Sequence, residues 1–521
     1  MNYRSIFLSL ATGVLLWLAW PDSSLTFLIF FAWIPLLFLA QEIHSLKKFF
    51  LLCYVSLFIW NIGTTWWIWN ASAPGAVAAW LINSLLMCFP WLVYYRIQQK
   101  KSFWFSGLSL IAFWLCFEYI HLQDWGLSWP WLTLGNVFAN QIEWVQWYSF
   151  TGVAGGSLWV LAVNLLLFSY IKSAIHKDGK RRLFLFISAV VLLVPLLISL
   201  AFSLKQKGIA QNQQEVVIVQ PNIDPYNKIV AGTEQKQITG LLELTTQATH
   251  SNAALVLWPE TALYSRFGYN EAALENEMNL TPVFQFLTSN PGVTLFTGIE
   301  SYTLQQHPTP YSRLIPGTTT HFEAYNAAVL LDNQGVQATY HKSRLVPGVE
   351  TLPWFLRFLD TWFEKFGGVT AGYAKQNERV ILEVRNGLKL APAICYESIY
   401  GNFMRQYIKK GANLITIITN DGWWKNTPGH RQHLHYARLR AVETGSWVAR
   451  SANTGISAFI DPQGRLSSII DYNQRGILKA NIAVQQNNLT FYVRHGDWIF
   501  QFFCLATLLM LAKRFWKRFQ V

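Results

Sequence analysis

The run LKLAPAICYESIYGNF, residues 388–403, joins an apolar, strand-like stretch to a short acidic turn, and it contains Cys395. Tyr396 and Glu397 follow this cysteine directly. The other four cysteines all lie in long hydrophobic stretches: Cys53, Cys88, Cys116 and Cys504. An isolated cysteine is either a small buried apolar residue or a reactive thiol, and the residues by themselves leave both interpretations open.

Short β-rich runs alternate with helical stretches on both sides of this cysteine, over residues 210–485. Strands are predicted over 215–220, 254–259, 293–300, 326–331, 388–395, 413–419, 447–452, 457–461 and 475–482. Helices are predicted over 233–249, 274–288, 400–410 and 430–444. Strands that alternate with helices in this way indicate an α/β sheet with covered faces.

The remainder of the chain has the composition of a membrane protein. Of the 521 residues 52% are hydrophobic, and they include 25 Trp and 36 Phe. Eight long hydrophobic segments lie at about 6–20, 25–41, 50–69, 77–95, 104–120, 152–171, 183–204 and 497–512. Most can cross a hydrocarbon core of ~30 Å, and the short first one is predicted to be retained because no small-residue cleavage site follows it. The sequence therefore predicts a membrane α-helical bundle of about eight spans. Three domains follow: seven helices in 1–204, an exported catalytic domain in 205–490, and an eighth helix with a basic tail in 491–521.

The basic residues predict how these spans are oriented. Alternate loops, counted from the N-terminus, hold 15 of the 41 Lys and Arg residues and only two acids, which accounts for the net charge of +13. The opposite short loops contain no Lys or Arg: 21–24, 70–76 and 121–151. This positive-inside pattern predicts cytoplasmic termini and an exported segment at 205–496. The exported segment is balanced in charge, so the pI of about 9.4 indicates topology and no nucleic-acid partner.

Three short strings are assigned to the C-terminal ends of strands, where α/β sheets place their chemistry: LWPETA with Glu260, YHKSRLVPGVE with Lys342, and AICYES with Cys395. A thiol nucleophile needs a base, because free Cys with a pKa of about 8.5 is mostly protonated at neutral pH. A tetrahedral oxyanion needs a fixed positive donor. Glu260 and Lys342 are candidates for these roles, and the alternatives are a strand-end salt bridge and a core cysteine.

His430, His433 and His435 lack a carboxylate or cysteine at ligand spacing, so we predict polar helix-face residues and no metal.

These three strings resemble the Glu-Lys-Cys triad of the nitrilase (carbon–nitrogen hydrolase) superfamily. VQPNI, AYNAAVL and TNDGWW extend the resemblance over most of residues 215–485. It implies a four-layer αββα sandwich, with Glu260 as general base, Lys342 as oxyanion partner and Cys395 as acylated nucleophile. By the same matching, Glu350 is a further active-site glutamate, and Tyr396 and Glu397 are the pair that follows the nucleophile.

A nitrilase-like domain between a seventh and an eighth span resembles the apolipoprotein N-acyltransferase family. SWPWLTLGN (128–136) and YVRHGDW (492–498) extend this resemblance to nearly the whole chain. It implies that a fatty acyl chain passes from a phospholipid, through a cysteine thioester, to the α-amino group of an apolipoprotein's N-terminal diacylglyceryl-cysteine. No metal or organic cofactor is implied, and we predict a monomer in the bacterial inner membrane with its catalytic domain on the periplasmic side. The family's LVPFGE reads LVPGVE here, and DPYNKI stands where a tryptophan is common.

Aromatic residues predict where the chain meets lipid, because Trp and Tyr favour the membrane interface. Trp129 and Trp131 in the outer loop are candidate lipid contacts. PWFLRFLDTWFEKFGG (353–368) has one wide apolar face and adds Trp354, Trp362 and Phe363. Such a helix either faces the membrane or covers the domain's own core; we predict a membrane-facing arm because it begins three residues after Glu350.

Two other functions fit parts of the pattern. A membrane-tethered amidase would use the same triad and release the acyl group to water. A transporter with an exported binding domain would also combine spans with a soluble domain. However, the first seven spans carry few ionisable residues, of which Glu118 is the clearest, whereas ion-coupled transporters tend to have several. The spans, the aromatic outer loop and the whole-chain resemblance favour a lipid substrate, so acyl transfer is preferred over the amidase as well.

Overall fold

The structure is a computed structural model, and it describes residues 2–204, 213–226, 232–248, 255–351, 372–484 and 489–519. The chain divides into two compact units. The first comprises Met1–Trp66, Gly75–Gln206 and His495–Val521, and the second comprises Trp67–Pro74 and Lys207–Arg494. The short segment Trp67–Pro74, which connects two helices of the first unit along the chain, therefore belongs to the second unit.

The first unit is helical. Its helices are α1 Tyr3–Leu18, α2 Ile34–Glu42, α3 Leu46–Thr65, α4 Ala73–Gln98, α5 Phe103–His121, α6 Tyr148–Thr151, α7 Val153–Ile175, α8 Arg181–Leu204 and a C-terminal helix Trp498–Phe519. By length and composition, five helical stretches among the described residues can cross a membrane: Leu46–Asn70, Ala73–Gln98, Phe103–His121, Val153–Ile175 and Arg181–Leu204. Three more are apolar but shorter: Tyr3–Leu18, Thr26–Glu42 and Trp498–Lys513. The predicted number of eight spans is therefore not established.

Close packing of small residues joins α1 to α3 in this unit. The hydroxyl of Ser9 donates to the carbonyl oxygen of Leu52 at 2.7 Å. A Cβ added at Gly13 would lie 2.5 Å from the carbonyl oxygen of Ser56, so only glycine fits there. Small residues that let helix backbones approach are typical of helix packing in membranes.

The second unit contains fourteen strands among the described residues. They are β1 Gln213–Gln220, β2 Leu255–Leu257, β3 Tyr269–Asn270, β4 Thr294–Gln305, β5 Arg313–Leu314, β6 His321–Asp332, β7 Gly335–His341, β8 Leu382–Glu383, β9 Lys389–Ile394, β10 Leu414–Thr419, β11 Trp447–Ala452, β12 Ser457–Ile460, β13 Leu466–Ile470 and β14 Gly476–Ala483. One sheet has the order β14-β1-β2-β4-β6-β5, with β3 beside β4 and β7 beside β6. The other has the order β13-β12-β11-β10-β9-β8.

Helices cover the outer face of each sheet, so the unit has four layers. The helices are α9 Glu234–Ala248, α10 Thr281–Ser289, α11 Gly401–Lys409, α12 Pro428–Thr444 and α13 Phe491–His495. The first two pack on the first sheet, whereas α11 and α12 pack on the second. The inner faces meet where Ser451 donates its hydroxyl to the carbonyl oxygen of Val219 at 2.9 Å. Residues 216–219 are buried on both faces of β1, as expected for a covered sheet, and the predicted αββα sandwich is confirmed.

The predicted elements differ from the structure in number and in length. β4 and β6 are longer than predicted, because they form a ladder that runs from Leu295 opposite Leu331 to Gln305 opposite His321. The strands β3, β5, β7, β8 and β13 were not predicted. The helix predicted over 274–288 begins only at Thr281, where a proline at the first turn starts α10; short 3-10 turns precede it.

Candidate active site

The three predicted catalytic residues follow strands of the second unit. Glu260 lies three residues after β2, Lys342 directly follows β7, and Cys395 directly follows β9. The Nζ atom of Lys342 is 3.2 Å from Oε1 of Glu260 and 2.8 Å from Oε1 of Glu350. The other oxygen of Glu260 accepts a hydrogen bond at 3.0 Å from the backbone N–H of Asn420, which follows β10. Glu260 therefore joins the strand ends of the two sheets.

The turn that carries Glu260 depends on a glycine in the neighbouring strand. Thr261 has a φ of +49°, in the left-handed region that non-glycine residues seldom adopt. A Cβ added at Gly298 would lie 2.4 Å from the nitrogen of Thr261 and 2.6 Å from the Cα of Glu260. The backbone N–H of Gly298 donates to the carbonyl oxygen of Pro259 at 3.2 Å. Gly298 thus lets the turn pack directly on β4.

Asn326 completes the charged cluster, and it was not among the site residues predicted from the sequence. Its Nδ2 atom donates at 2.8 Å to Oε1 of Glu260 and at 2.8 Å to Oε1 of Glu350. The backbone N–H of Lys342 donates to its carbonyl oxygen at 2.9 Å. The sequence did contain a signal for Asn326, because it is a polar residue in the apolar run AYNAAVL and a buried amide needs hydrogen-bond partners.

The charges of this cluster keep Lys342 protonated. Burial alone lowers the pKa of a lysine, and Lys342 is almost fully buried. Glu260, Glu350 and Cys395 act in the opposite direction and outweigh burial, so the pKa of Lys342 lies above its ordinary value. The site therefore holds a fixed ammonium between two carboxylates.

The loop with the sequence LVPGVE brings the carboxylate of Glu350 next to the ammonium of Lys342. Gly348 has a φ of +77°, and its N–H donates to the carbonyl oxygen of Thr351 at 2.8 Å. Oε2 of Glu350 accepts from the N–H of Val346 at 2.8 Å, and the N–H of Glu350 donates to the carbonyl oxygen of Val346 at 3.0 Å. The loop is a tight turn whose left-handed position is taken by glycine.

Cys395 has an unusual backbone conformation, and the pKa of its thiol is raised. Its φ is +52°, a conformation that costs about 1–3 kcal/mol for a non-glycine residue and clusters at functional sites. The residue is half-buried. Burial raises the pKa of its thiol, Glu260 and Asp421 raise it further, and the opposing effect of Lys342 is smaller. A base must therefore take the proton when the thiol reacts.

Glu397 ties the loop of Lys342 to the strand of Cys395. Its Oε1 accepts from the backbone N–H groups of Ser343 at 2.6 Å and Arg344 at 3.0 Å. Its Oε2 accepts from the N–H of Ile394 at 2.8 Å, and the hydroxyl of Tyr340 donates to both oxygens. Burial raises the pKa of Glu397, while these hydrogen bonds oppose the rise. Glu397 thus positions the loop and does not reach the reacting atoms through these contacts.

The remaining predicted residues differ in how much the structure describes. Tyr396 is buried, and its hydroxyl accepts from the hydroxyl of Tyr400 at 3.1 Å. In the first unit, Trp129 and Trp131 stack with ring centroids 5.4 Å apart; Trp131 is fully buried and Trp129 is half-buried. Trp354, Trp362, Phe363 and the predicted arm 353–368 lie outside the described residues. Lipid contact by these five aromatic residues stays a prediction.

Two of the three histidines that were predicted to be polar helix-face residues of α12 are buried. His430 and His433 are buried, because α12 packs against both α11 and the sheet. Cys395, Asp421 and His433 place potential ligand atoms within 4.8 Å of one another. However, Arg450 pairs with Asp421 and lies 3.1 Å from Nδ1 of His433. A guanidinium therefore already supplies the positive charge, and these residues do not fit a metal ion.

Sequence comparisons agree with this architecture. Residues 215–489 match the carbon–nitrogen hydrolase family model, and residues 12–166 match the model of the apolipoprotein N-acyltransferase N-terminal domain. The sandwich with its strand-end site is thus a carbon–nitrogen hydrolase domain, here joined to apolar helices. An apolipoprotein N-acyltransferase of Chlorobaculum tepidum is 30% identical over 513 residues, covering 95% of this chain and 93% of that protein. The chain belongs to the apolipoprotein N-acyltransferase family of multi-pass membrane proteins.

Other relatives extend the comparison. An apolipoprotein N-acyltransferase of Geobacter metallireducens is 25% identical over 533 residues, covering 99% of this chain and 96% of that protein. The crystal structure of an amidase from Nesterenkonia sp. is 17% identical, with a TM-score of 0.36, and covers 56% of this chain and 96% of that chain. The family assignment rests on the family models and the full-length relatives.

Proposed function

We propose that this protein transfers a fatty acyl chain from a phospholipid to the α-amino group of the N-terminal diacylglyceryl-cysteine of apolipoproteins. The observation that carries this proposal is the full-length relationship to apolipoprotein N-acyltransferases, in a chain whose Glu260, Lys342 and Cys395 all follow strands of the sandwich. Membrane-spanning helices and a lipid-linked reaction also fit each other, because both substrates are held in a bilayer.

In the first half-reaction, the thiol of Cys395 attacks the ester carbonyl of the phospholipid. Glu260 takes the thiol proton, and the ammonium of Lys342 stabilises the tetrahedral oxyanion as the sulfur–carbon bond forms. Collapse breaks the carbon–oxygen bond, and Glu260 returns the proton to the leaving alkoxide. A lysophospholipid leaves, and the acyl chain remains on Cys395 as a thioester.

In the second half-reaction, the neutral α-amine of the acceptor attacks the thioester carbonyl. Lys342 again stabilises the oxyanion, Glu260 accepts a proton from the amine, and the carbon–sulfur bond breaks. The thiolate leaves and regains the proton, so the products are an amide and the free enzyme. A preorganised donor of this kind contributes about 10²–10³ in rate, and Glu350 and Asn326 hold Lys342 and Glu260 in place.

Hydrolysis of the thioester by water is the alternative and would make the protein an amidase. The match of residues 12–166 to the N-terminal domain model of acyltransferases favours transfer over hydrolysis. The loop charges further support an orientation with the catalytic domain on the periplasmic side of the inner membrane.

A transfer assay tests the proposal. The full chain in lipid nanodiscs with phosphatidylethanolamine carrying a labelled acyl chain is mixed with a diacylglyceryl-cysteine lipopeptide. We expect the label to appear on the lipopeptide amine, and an N-acetylated lipopeptide to remain unlabelled. Release of the label only as free fatty acid would favour the amidase and overturn the proposal.

A further inference from the structure

His433 lies on α12, fully buried directly behind the nucleophile. Its Nε2 atom is 3.1 Å from the carbonyl oxygen of Cys395 and 2.9 Å from the hydroxyl oxygen of Ser398. Ser398 donates its hydroxyl to the same carbonyl oxygen at 2.8 Å. A carbonyl oxygen can only accept hydrogen bonds, so we assign a proton to Nε2 of His433. The carbonyl oxygen of Cys395 then accepts from two buried donors, the His433 ring and the Ser398 hydroxyl.

An ion pair holds the other edge of the imidazole ring. Nδ1 of His433 is 2.9 Å from Oδ1 of Asp421 and 3.1 Å from Nη2 of Arg450. Asp421 pairs with Arg450, and it accepts a hydrogen bond from the hydroxyl of Thr419 at 2.7 Å. Burial raises the pKa of Asp421, but Arg450 and His433 outweigh it and bring the pKa below its ordinary value. The ring therefore rests against an ionised, fully buried pair.

Aromatic side chains restrict the ring further. Trp424 meets His433 edge to face, with ring centroids 5.6 Å apart. Trp67, from the segment between α3 and α4, packs on Trp424 at 4.6 Å, and Asn70 donates to the carbonyl oxygen of Trp424 at 3.3 Å. The ring has contacts on its edges and its face, so it has little freedom to rotate.

Ser398, His433 and Asp421 have the connectivity of a hydrolytic triad, but access excludes that role. Ser398 is fully buried, and its hydroxyl already bonds to Cys395. The shared target of His433 and Ser398 is the backbone of a nucleophile whose φ is +52°. A conformation of that kind persists only where surrounding groups fix it.

We propose that His433 is a positioning residue for acyl transfer: by holding the carbonyl oxygen of Cys395, it keeps the thiol beside Glu260 and Lys342. The kinetic part of this inference rests on the proposed function. The reactivity of the Cys395 thiol toward a small electrophile reports on the same positioning without any lipid. The positioning role of His433 and the proposed acyl transfer can therefore fail separately.

Two substitutions distinguish positioning from general stability. In His433→Gln the side-chain amide reaches the place of Nε2 and can still donate to the carbonyl oxygen. In His433→Asn the amide reaches only the place of Nδ1, so contact with Asp421 survives and contact with Cys395 is lost. His435→Asn, on the same helix and away from Cys395, is the matched control.

Rates of thioester formation and of iodoacetamide alkylation at Cys395 are measured against pH on folded, full-length protein. We expect His433→Asn to form the thioester about 10²-fold more slowly, while the phospholipid concentration that gives half the maximal rate stays unchanged. The pH at the midpoint of Cys395 alkylation should fall, because the thiol regains contact with water. His433→Gln should recover much of the rate and the original midpoint, and His435→Asn should match wild type. Equal behaviour of the Gln and Asn variants in both readouts would overturn the proposal. If the wild type does not acylate at all, the proposed function fails and the alkylation profiles alone decide.

Discussion

The carboxylate of Glu397 accepts a hydrogen bond at 2.6 Å from the backbone N–H of Ser343, the residue after Lys342. The two are 54 residues apart in the chain, and the same carboxylate binds the N–H of Ile394, the residue before Cys395. One buried side chain therefore ties the backbone next to Lys342 to the backbone next to Cys395.

Glu397→Gln should impair both stability and acylation. A glutamine must turn an amide N–H₂ toward backbone donors, and each buried group left unsatisfied costs about 1–3 kcal/mol. Thermal unfolding and single-turnover acylation measure the two effects. Glu383→Gln is the matched control, because its carboxylate is exposed and pairs only with Lys389 in the described contacts. Equal results for the two variants would contradict the assigned role.

Gly298→Ala should reduce acylation strongly, since its Cβ would lie within 2.6 Å of backbone atoms of the Glu260 turn. The backbone must shift, and a misplacement of about 1 Å can cost about 10²-fold in rate. Gly292→Ala is the control, because a Cβ there meets no atom within 4 Å. The rate constant for thioester formation is measured for both, and normal acylation by Gly298→Ala would show that the turn tolerates displacement.

Glu260→Gln should change two reactions of Cys395 in opposite directions. Acylation should be lost, because no base remains to take the thiol proton. Alkylation by iodoacetamide should instead reach its midpoint at lower pH, because the Glu260 carboxylate raises the pKa of the thiol. Alkylation is followed by mass spectrometry of the Cys395 peptide across pH. Alkylation and acylation that fall together would indicate a structural role for Glu260.

Lys342→Met should abolish acylation and lower stability, since removing one partner of a buried charge pair costs about 3–5 kcal/mol. Adding Glu350→Gln removes one uncompensated carboxylate and should restore part of the stability but none of the acylation. If the double variant acylates as well as Glu350→Gln alone, Lys342 is only structural. Lys342→Arg should also fail, because a planar guanidinium does not replace a compact ammonium.

The orientation of the chain is tested with reporters. A reporter that is active only outside the cytoplasm should be active when fused after residue 210 and inactive when fused after residue 178. The expectation follows from the 15 basic residues on alternate loops and the positive-inside rule. The opposite pattern would invert the predicted topology.

Local patterns were sufficient to predict nine of the fourteen described strands and an α/β sheet with covered faces, whereas the αββα sandwich was implied by the family resemblance. Glu260 and Cys395 stand at the ends of predicted strands, so their position in the fold follows from the apolar runs before them, whereas Lys342 follows β7, which was not predicted. Their family resemblance supplied the roles.

The supporting residues depend on contacts that sequence spacing does not encode. Asn420 meets Glu260 across 160 residues, and Asn326 meets it across 66 residues. His433 was interpreted as a polar helix-face residue because no carboxylate or cysteine stood at ligand spacing, whereas packing of α12 against α11 and the sheet buries it. The segment Trp67–Pro74 likewise belongs to the second unit because of its packing, which hydropathy does not predict.

The central claim is that Cys395 carries the acyl chain. The most direct test is the intact mass of the full-length protein after incubation with phosphatidylethanolamine and without acceptor. Wild type should gain the mass of one acyl chain, hydroxylamine should remove it, and Cys395→Ser should show no hydroxylamine-labile adduct. A wild-type protein that transfers acyl chains to a lipopeptide while its own mass stays unchanged would contradict the thioester mechanism.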